Sequence, residues 1–189
     1  MTIQHNIITD PDIHEPKGVA AATADKVYIS NGSGSGAWEY PPGKAHAEIY
    51  IDAVATAQTL SGSSAYAKLN PGTEWTAGVS NVLTVSATNG TITLTEAGTY
   101  IINFWCQFST TAIANGTLYN FKYNLDGTNS GRTLTVSKFS NGADKLHISA
   151  TGLLTATAGQ VLSMYVGGDA TSSSTAITVI EAGLSAIKL

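Results

Sequence analysis

The stretch YIINFWCQF, Tyr100–Phe108, decides how this chain folds. Successive side chains of a β-strand point to opposite faces of its sheet, so the stretch presents two different surfaces. One face consists of Tyr100, Ile102, Phe104, Cys106 and Phe108. The other face consists of Ile101, Asn103, Trp105 and Gln107. Because both faces carry large apolar groups, the pattern indicates a strand covered on both sides, by a sandwich core on one side and a neighbouring subunit on the other.

The chain from Ala45 onward is a succession of short β-prone segments. Ten of them are separated by clusters of Gly, Asn, Asp and Ser, and no amphipathic helix stands out. In Leu118–Leu125, the sequence places Tyr119, Phe121, Tyr123 and Leu125 on one face and Leu118, Asn120, Lys122 and Asn124 on the other. The following Asp126–Gly127 pair predicts a tight turn. These features predict an all-β sandwich or barrel.

Composition excludes several classes of function. The length of 189 residues suits one domain with an appendage, and charged residues make up only 12% of the chain. The formal net charge is -4 and no basic patch is present, which argues against nucleic-acid binding. Cys106 is the single cysteine, so no intrachain disulfide forms. No apolar run is long enough to span a membrane, and the first residues lack the pattern of a signal peptide.

The segment HNIITDPDIHEPKG, His5–Gly18, differs from everything that follows it. Its two prolines disfavour helix in the residues that precede them, which predicts an extended arm. Val27–Ser30 and Ala37–Tyr40 are short β-prone runs on either side of a glycine-rich turn, and they predict a small hairpin. The chain is then broken by PPGK. We therefore predict an arm with a hairpin over residues 1–43 and a second domain over residues 44–189.

Three motifs of the second domain resemble the C1q/TNF-like jelly roll. The first is the Gly-x-Tyr entry into the long strand, with Gly98, Tyr100, Phe104 and Phe108. The second is the penultimate-strand pattern of Leu154, Gly159, Gln160, Val161 and Val166, where the family usually has Asp in place of Gln160. The third is the closing GLSAIKL. The resemblance covers Ala45 to Leu189.

That resemblance implies a ten-stranded jelly roll that assembles as a homotrimer. The predicted trimer interface is the second face of the long strand, namely Ile101, Asn103, Trp105 and Gln107. Some relatives bind calcium through acidic loops, but no such loop is identified here, so we expect no metal and no other cofactor.

The front of the chain resembles the N-terminal segments of tailed-phage head fibres and decoration proteins. The likeness rests on HEPKG, residues 14–18, and on the glycine-rich turn before Trp38. In such proteins this segment attaches the molecule to the particle. The resemblance therefore implies that the arm binds the lattice of the major capsid protein through Ile7, Ile8, Ile13, His14, Glu15, Lys17 and Trp38.

Other candidate sites have simpler explanations. His5, His14 and Glu15 lack a second pair with ligand spacing, so polar contacts in an interface are favoured over a metal site. Cys106 lies in the most apolar strand and is expected to be a buried hydrophobic residue. The NGSGSG segment lacks the Lys-Ser/Thr of a phosphate-binding loop. Trp75 is the one tryptophan worth testing for carbohydrate contact, although loop packing is the commoner role.

An enzyme is disfavoured because the sequence offers no plausible carboxylate pair or catalytic triad, which leaves two binding functions. The leading hypothesis is a capsid decoration or head-fibre protein on the outer surface of the virion, made in the host cytoplasm. The alternative is the receptor-binding tip of a short tail fibre, whose further partner would be a glycan or protein on the host surface. Both are stoichiometric binding functions.

Overall fold

A computed structural model describes residues 22, 24–30, 32–33, 36–60, 65–69, 75–110, 117–130, 132–137, 144–168 and 176–189. Every regular element in those ranges is a β-strand. None of the described residues forms a helix long and apolar enough to cross a membrane. The chain divides into two compact units, Met1–Pro42 and Gly43–Leu189.

The N-terminal unit contains the predicted hairpin. Strand β1 (Val27–Ser30) pairs antiparallel with β2 (Gly36–Glu39), which places Tyr28 opposite Trp38. Their rings meet edge to face, with centroids 5.5 Å apart. This geometry is favourable for aromatic pairs and fixes Trp38 within the hairpin. The hairpin prediction is confirmed.

The C-terminal unit contains thirteen strands in the part that the structure describes. They are β3 (His46–Ile51), β4 (Thr56–Thr59), β5 (Ala67–Lys68), β6 (Thr76–Asn81), β7 (Thr84–Ser86), β8 (Thr91–Leu94), β9 (Gly98–Thr110), β10 (Leu118–Leu125), β11 (Thr128–Asn129), β12 (Leu134–Ser137), β13 (Asp144–Ala156), β14 (Gln160–Gly168) and β15 (Ala176–Lys188). All ten predicted strands are present. The three additional strands are β4, β6 and β11, which are short or polar and have no alternating apolar pattern.

The strands form two antiparallel sheets. A six-stranded sheet has the order β13-β9-β15-β3-β6, with β4 also paired to β15. A seven-stranded sheet has the order β11-β10-β14-β8-β7, with β12 paired to β10 and β5 paired to β14. Most neighbours in each sheet are distant in sequence, as in a jelly roll, so the fold is held together by long-range pairing. The predicted all-β jelly-roll sandwich is confirmed.

The core lies between the two sheets. The first face of β9 points into it, and Tyr100, Ile102, Phe104, Cys106 and Phe108 are all buried. The seven-stranded sheet contributes Tyr119 and Phe121, whose ring centroids lie 5.2 and 5.4 Å from that of Phe108. The hydroxyl groups of Tyr119 and Thr110 lie 2.6 Å apart and share a hydrogen bond inside the core. The assignment of inward residues on β9 is therefore correct.

The turn after β10 forms at the predicted Asp126–Gly127 pair, and both residues have positive φ angles. The amide of Gly127 donates a 2.8 Å hydrogen bond to Oδ1 of Asn124. This bond explains one error in the predicted alternation, because Asn124 was assigned to the outward face and is in fact buried. Because the Asn124 side chain turns inward to accept this bond, the alternation of inward and outward residues is broken at the end of β10.

Gly98 explains why the entry to β9 needs glycine. Its φ angle is +148°, which side-chain-bearing residues rarely adopt. The aliphatic part of Lys188 lies over it, and a Cβ built on Gly98 would approach Cε of Lys188 to 2.8 Å. Glycine here lets β9 begin beneath the end of β15.

Candidate functional site

The candidate site is the face of the six-stranded sheet that points away from the core, which we call the outer sheet face. It consists of the alternate residues of β9 that are not buried, together with their cross-strand neighbours on β13, β15 and β3. Residues directly opposite each other on antiparallel strands share a face, so the pairing register defines this surface row by row. Three successive rows differ in chemistry.

The first row is apolar. Ile101 on β9 lies between Leu153 on β13 and Ile187 on β15. In the single chain, Leu153 is 60% exposed and Ile187 is 37% exposed. Three branched aliphatic side chains side by side form a patch that would gain stability if water were removed from it.

The second row is polar and internally hydrogen-bonded. The hydroxyl of Thr151 donates to Oδ1 of Asn103 at 2.6 Å. Nδ2 of Asn103 donates in turn to the hydroxyl of Ser185 at 3.3 Å. The Asn103 side chain thus links three strands, and both its oxygen and its nitrogen have hydrogen-bond partners. Burying this row against a partner would therefore carry a smaller desolvation free energy than burying an unpaired amide.

The third row is aromatic. Trp105 on β9 lies opposite Gly183 on β15, and a Cβ built on that glycine would lie 2.3 Å from the indole Nε1. The indole therefore lies directly across the β15 backbone, where any other residue would displace it. On its other side, the ring of His147 lies parallel to the indole, with centroids 6.4 Å apart and planes 8° apart.

The outward residues of β9 carry no charge, and the carboxylates of this surface, Glu181 and Glu48, lie on the neighbouring strands. Gln107 lies between His147 on β13 and Glu181 on β15. Beyond the apolar row, a shallow recess of about 230 Å³ is lined by His46, Ala47, Glu48, Val79, Ser185 and Ile187. Val79 is 70% exposed and extends the apolar patch towards β6. The aliphatic side chains and the indole are typical of the central part of a protein–protein interface, and the two carboxylates are typical of its rim.

The structure brings together all four residues of the predicted trimer interface. Ile101, Asn103, Trp105 and Gln107 occupy consecutive outward positions of β9. Sequence reasoning missed Leu153, Ile187, Val79 and Gly183. Leu153, Ile187 and Gly183 lie in strands that were predicted, whereas Val79 lies in β6, which was not. Which strands neighbour β9 could not be inferred from the sequence alone.

Of the predicted capsid-binding residues, the structure describes only Trp38. Ile7, Ile8, Ile13, His14, Glu15 and Lys17 lie outside the described residues. Trp38 is half-buried in the hairpin, on the edge of the Tyr28 ring. Its proposed contact with a capsid stays a prediction.

The remaining candidate sites have structural roles. Cys106 is fully buried, and burial raises the pKa of its thiol well above the usual range, so that the thiol stays protonated and unreactive. Trp75 is only 4% exposed and its indole donates a 3.1 Å hydrogen bond to the carbonyl of Leu69. It packs in the loop rather than presenting a surface for carbohydrate. No group of three or more potential metal ligands occurs among the described residues.

The C-terminal unit is similar in fold to a solved structure. The TNF protein Eiger from S. frugiperda superposes with a TM-score of 0.53 at 11% identity, over 79% of this chain and 94% of that one. This likeness shows the fold alone, a jelly roll similar to that of a TNF protein. The globular domain of zebrafish complement 1qA gives a TM-score of 0.45 at 14% identity, over 77% of this chain and 97% of that one. No protein-family description matches the sequence, and no curated protein matches it.

Proposed function

We propose that this chain is a structural protein of a tailed-phage virion. In this role it is a capsid decoration or head-fibre protein whose jelly rolls form a homotrimer and whose N-terminal arm binds the lattice of the major capsid protein. The observation that carries the binding role is the outer sheet face, which presents Leu153, Ile187 and Trp105 in a single chain. The phage assignment rests on the resemblance of residues 14–18 and of the turn before Trp38.

The chemistry of the outer sheet face supports the proposed trimer. A cyclic trimer buries this surface around its axis, where uncharged and aliphatic side chains are stable and where like charges from three chains would repel. The apolar row and the indole supply the area to be buried, and the Thr151–Asn103–Ser185 row is already satisfied within each chain. A TNF-like fold is compatible with this arrangement.

Attachment is assigned to the arm because its chemistry suits a sheet edge. Extended segments add to exposed edges through backbone hydrogen bonds, and alternate side chains enter pockets on the partner. Ile7, Ile8 and Ile13 are the apolar side chains proposed to do this, with His14, Glu15 and Lys17 in polar contacts. Three arms on one trimer bind together, so modest affinity per arm becomes near-permanent attachment.

The test uses particles stripped of this protein. Full-length chain is mixed with them and the particles are pelleted, and we expect the protein to pellet with them at a fixed ratio. A chain with Ile7→Asp and Ile13→Asp should remain in the supernatant, because a charge at each anchor position cannot enter an apolar pocket. Thr9→Asp together with Thr2→Asp adds the same charge to the same segment at positions not proposed as anchors, and it should still pellet.

Copy number separates this proposal from the tail-fibre alternative. A decoration protein occurs in hundreds of copies per particle and labels the head, whereas a tail-fibre tip occurs in tens or fewer and labels the tail. Quantitative gel analysis of purified virions and imaging with a labelled chain give both answers. Tail labelling at low copy number would overturn the decoration function in favour of receptor binding.

A further inference from the structure

One edge of the sandwich contains a cleft to which the proposed function assigns no role, although its lining residue Thr151 also belongs to the polar row of the outer sheet face. At this edge β13 ends the six-stranded sheet and β12 lies beside it at the margin of the other sheet. The cleft has a volume of about 100 Å³. It is lined by Ile102, Phe104, Tyr123, Arg132, Leu134, Ala150, Thr151 and Gly152. We call it the edge cleft.

The walls of the edge cleft are almost wholly apolar. Ile102 and Phe104 form its floor and are themselves buried. The cleft exists because the two residues opposite them on β13 are small, namely Gly152 opposite Ile102 and Ala150 opposite Phe104. Larger side chains there would fill the space between the sheets. An apolar cavity of about 150 Å³ is known to admit benzene. The edge cleft is smaller, at about 100 Å³, but it is open at its mouth, so it suits one compact apolar group that enters it in part.

Among the described residues that line the edge cleft, Arg132 is the one cation. Nη1 of Arg132 would be 3.7 Å from a Cβ built on Gly152, so the guanidinium lies over the open side of the cleft. In the part of the chain that the structure describes, no carboxylate pairs with Arg132. A guanidinium presents its N–H donors in a planar fork that matches the two oxygens of a carboxylate.

We propose that the edge cleft binds a small monocarboxylate whose apolar part is a phenyl ring or a short branched chain. The apolar part occupies the space over Phe104 and Ile102, and the carboxylate is held at the mouth by Arg132. One guanidinium and apolar walls favour a singly charged ligand over a phosphate or a sugar, which would leave polar groups without partners.

Benzoate is the probe, and methyl-resolved NMR of the full-length protein is the measurement. Benzoate should shift the methyl signals of Ile102, Leu134 and Ala150 in a saturable way, with a dissociation constant on the order of 1 mM for so small a ligand. Benzamide has the same ring and no charge. It should bind about tenfold more weakly, a modest factor because Arg132 is exposed to solvent.

Two variants separate the two halves of the site. Arg132→Gln should reduce benzoate binding to the level of benzamide and leave benzamide unchanged, while Lys122→Gln removes a cation elsewhere and should change neither. Ala150→Leu should fill the cleft and abolish binding of both probes. Equal binding of benzoate and benzamide, no effect of Arg132→Gln, or shifts centred on other methyl groups would each overturn the proposal. Because Arg132 lies outside the core, its variant tests the site even if Ala150→Leu fails to fold.

Discussion

Trp105 and Gly183 face each other on neighbouring strands, and the indole occupies the space that a side chain at position 183 would need. The distance from a Cβ at Gly183 to Nε1 of Trp105 would be 2.3 Å, well inside the closest approach of two such atoms. The glycine is buried beneath the ring although it lies on the outward side of the sheet. This pair holds the indole across the β15 backbone on the outer sheet face.

Replacing the glycine should therefore dislodge the indole. We expect Gly183→Ala to lower the free energy of unfolding by about 1–3 kcal/mol, the usual cost of inserting a methyl group into a packed site. Urea unfolding at a fixed chain concentration measures it. In a Trp105→Ala background the same change should cost much less, because the clash has been removed. Equal costs in the two backgrounds would show that the indole does not lie across Gly183.

Removing the indole itself tests the trimer. If Trp105 lies between subunits, Trp105→Ala should cost about 3–5 kcal/mol per subunit, as expected for loss of a large buried ring. Sedimentation equilibrium should then show one chain in place of three. Full-length protein that sediments as a single chain before any substitution would contradict the trimer.

A charge introduced into the apolar row should dissociate the proposed trimer without unfolding the single chain. Leu153 is 60% exposed in the single chain, so Leu153→Glu should leave the fold of each chain intact. In the trimer the three carboxylates would be buried without partners, and the assembly should dissociate. Thr88→Glu places the same charge on an exposed turn and serves as the control, with an unchanged sedimentation coefficient. Loss of far-UV circular dichroism in Leu153→Glu would mean that Leu153 supports the fold instead.

Because the Cys106 thiol is buried, we expect the free energy of unfolding to fall at alkaline pH. Burial raises the pKa of Cys106 in the folded chain, whereas the unfolded thiol titrates at roughly 8.5. Above that pH the unfolded chain releases a proton that the folded chain keeps, so stability falls as the pH rises, by about 1.4 kcal/mol per pH unit. Urea unfolding between pH 7 and pH 9.5 should show this slope. Cys106→Ala should be less stable at pH 7 but lack the thiol's contribution to the slope, and an equal slope in both proteins would refute the assignment.

The long strand shows how far sequence alone leads. The alternation in Tyr100–Phe108 predicted both faces of β9 correctly, because a period of two is a local property and the inward face is wholly apolar or aromatic. The places of Gly183 and Leu153 on the outer sheet face were not predicted. Gly183 pairs with Trp105, 78 residues before it in the chain, and Leu153 pairs with Ile101, 52 residues before it. Such long-range pairing cannot be inferred from a local pattern. The polar strand β6 was missed because an exposed edge strand needs no apolar pattern. The edge cleft forms because Gly152 and Ala150 pair with Ile102 and Phe104 on the neighbouring strand. A pairing between distant segments cannot be inferred from a sequence motif.

The last prediction concerns the N-terminal unit. Deleting residues 1–42 should leave a jelly roll that folds and trimerises, because the described core of the C-terminal unit takes its buried apolar residues from Ala45 onward and the outer sheet face lies wholly within that unit. Circular dichroism and sedimentation equilibrium establish this first.

The truncated trimer should then fail to pellet with stripped particles, because the proline-containing segment that is proposed to add to a sheet edge has been removed. Adding the truncated chain to full-length chain before assembly gives mixed trimers with fewer than three arms. Their retention on the particle should fall steeply with each arm lost, since the arms act through a shared effective concentration. Pelleting of the truncated trimer at the level of the full-length protein would mean that the jelly roll itself binds the particle, and the docking role of the arm would be wrong.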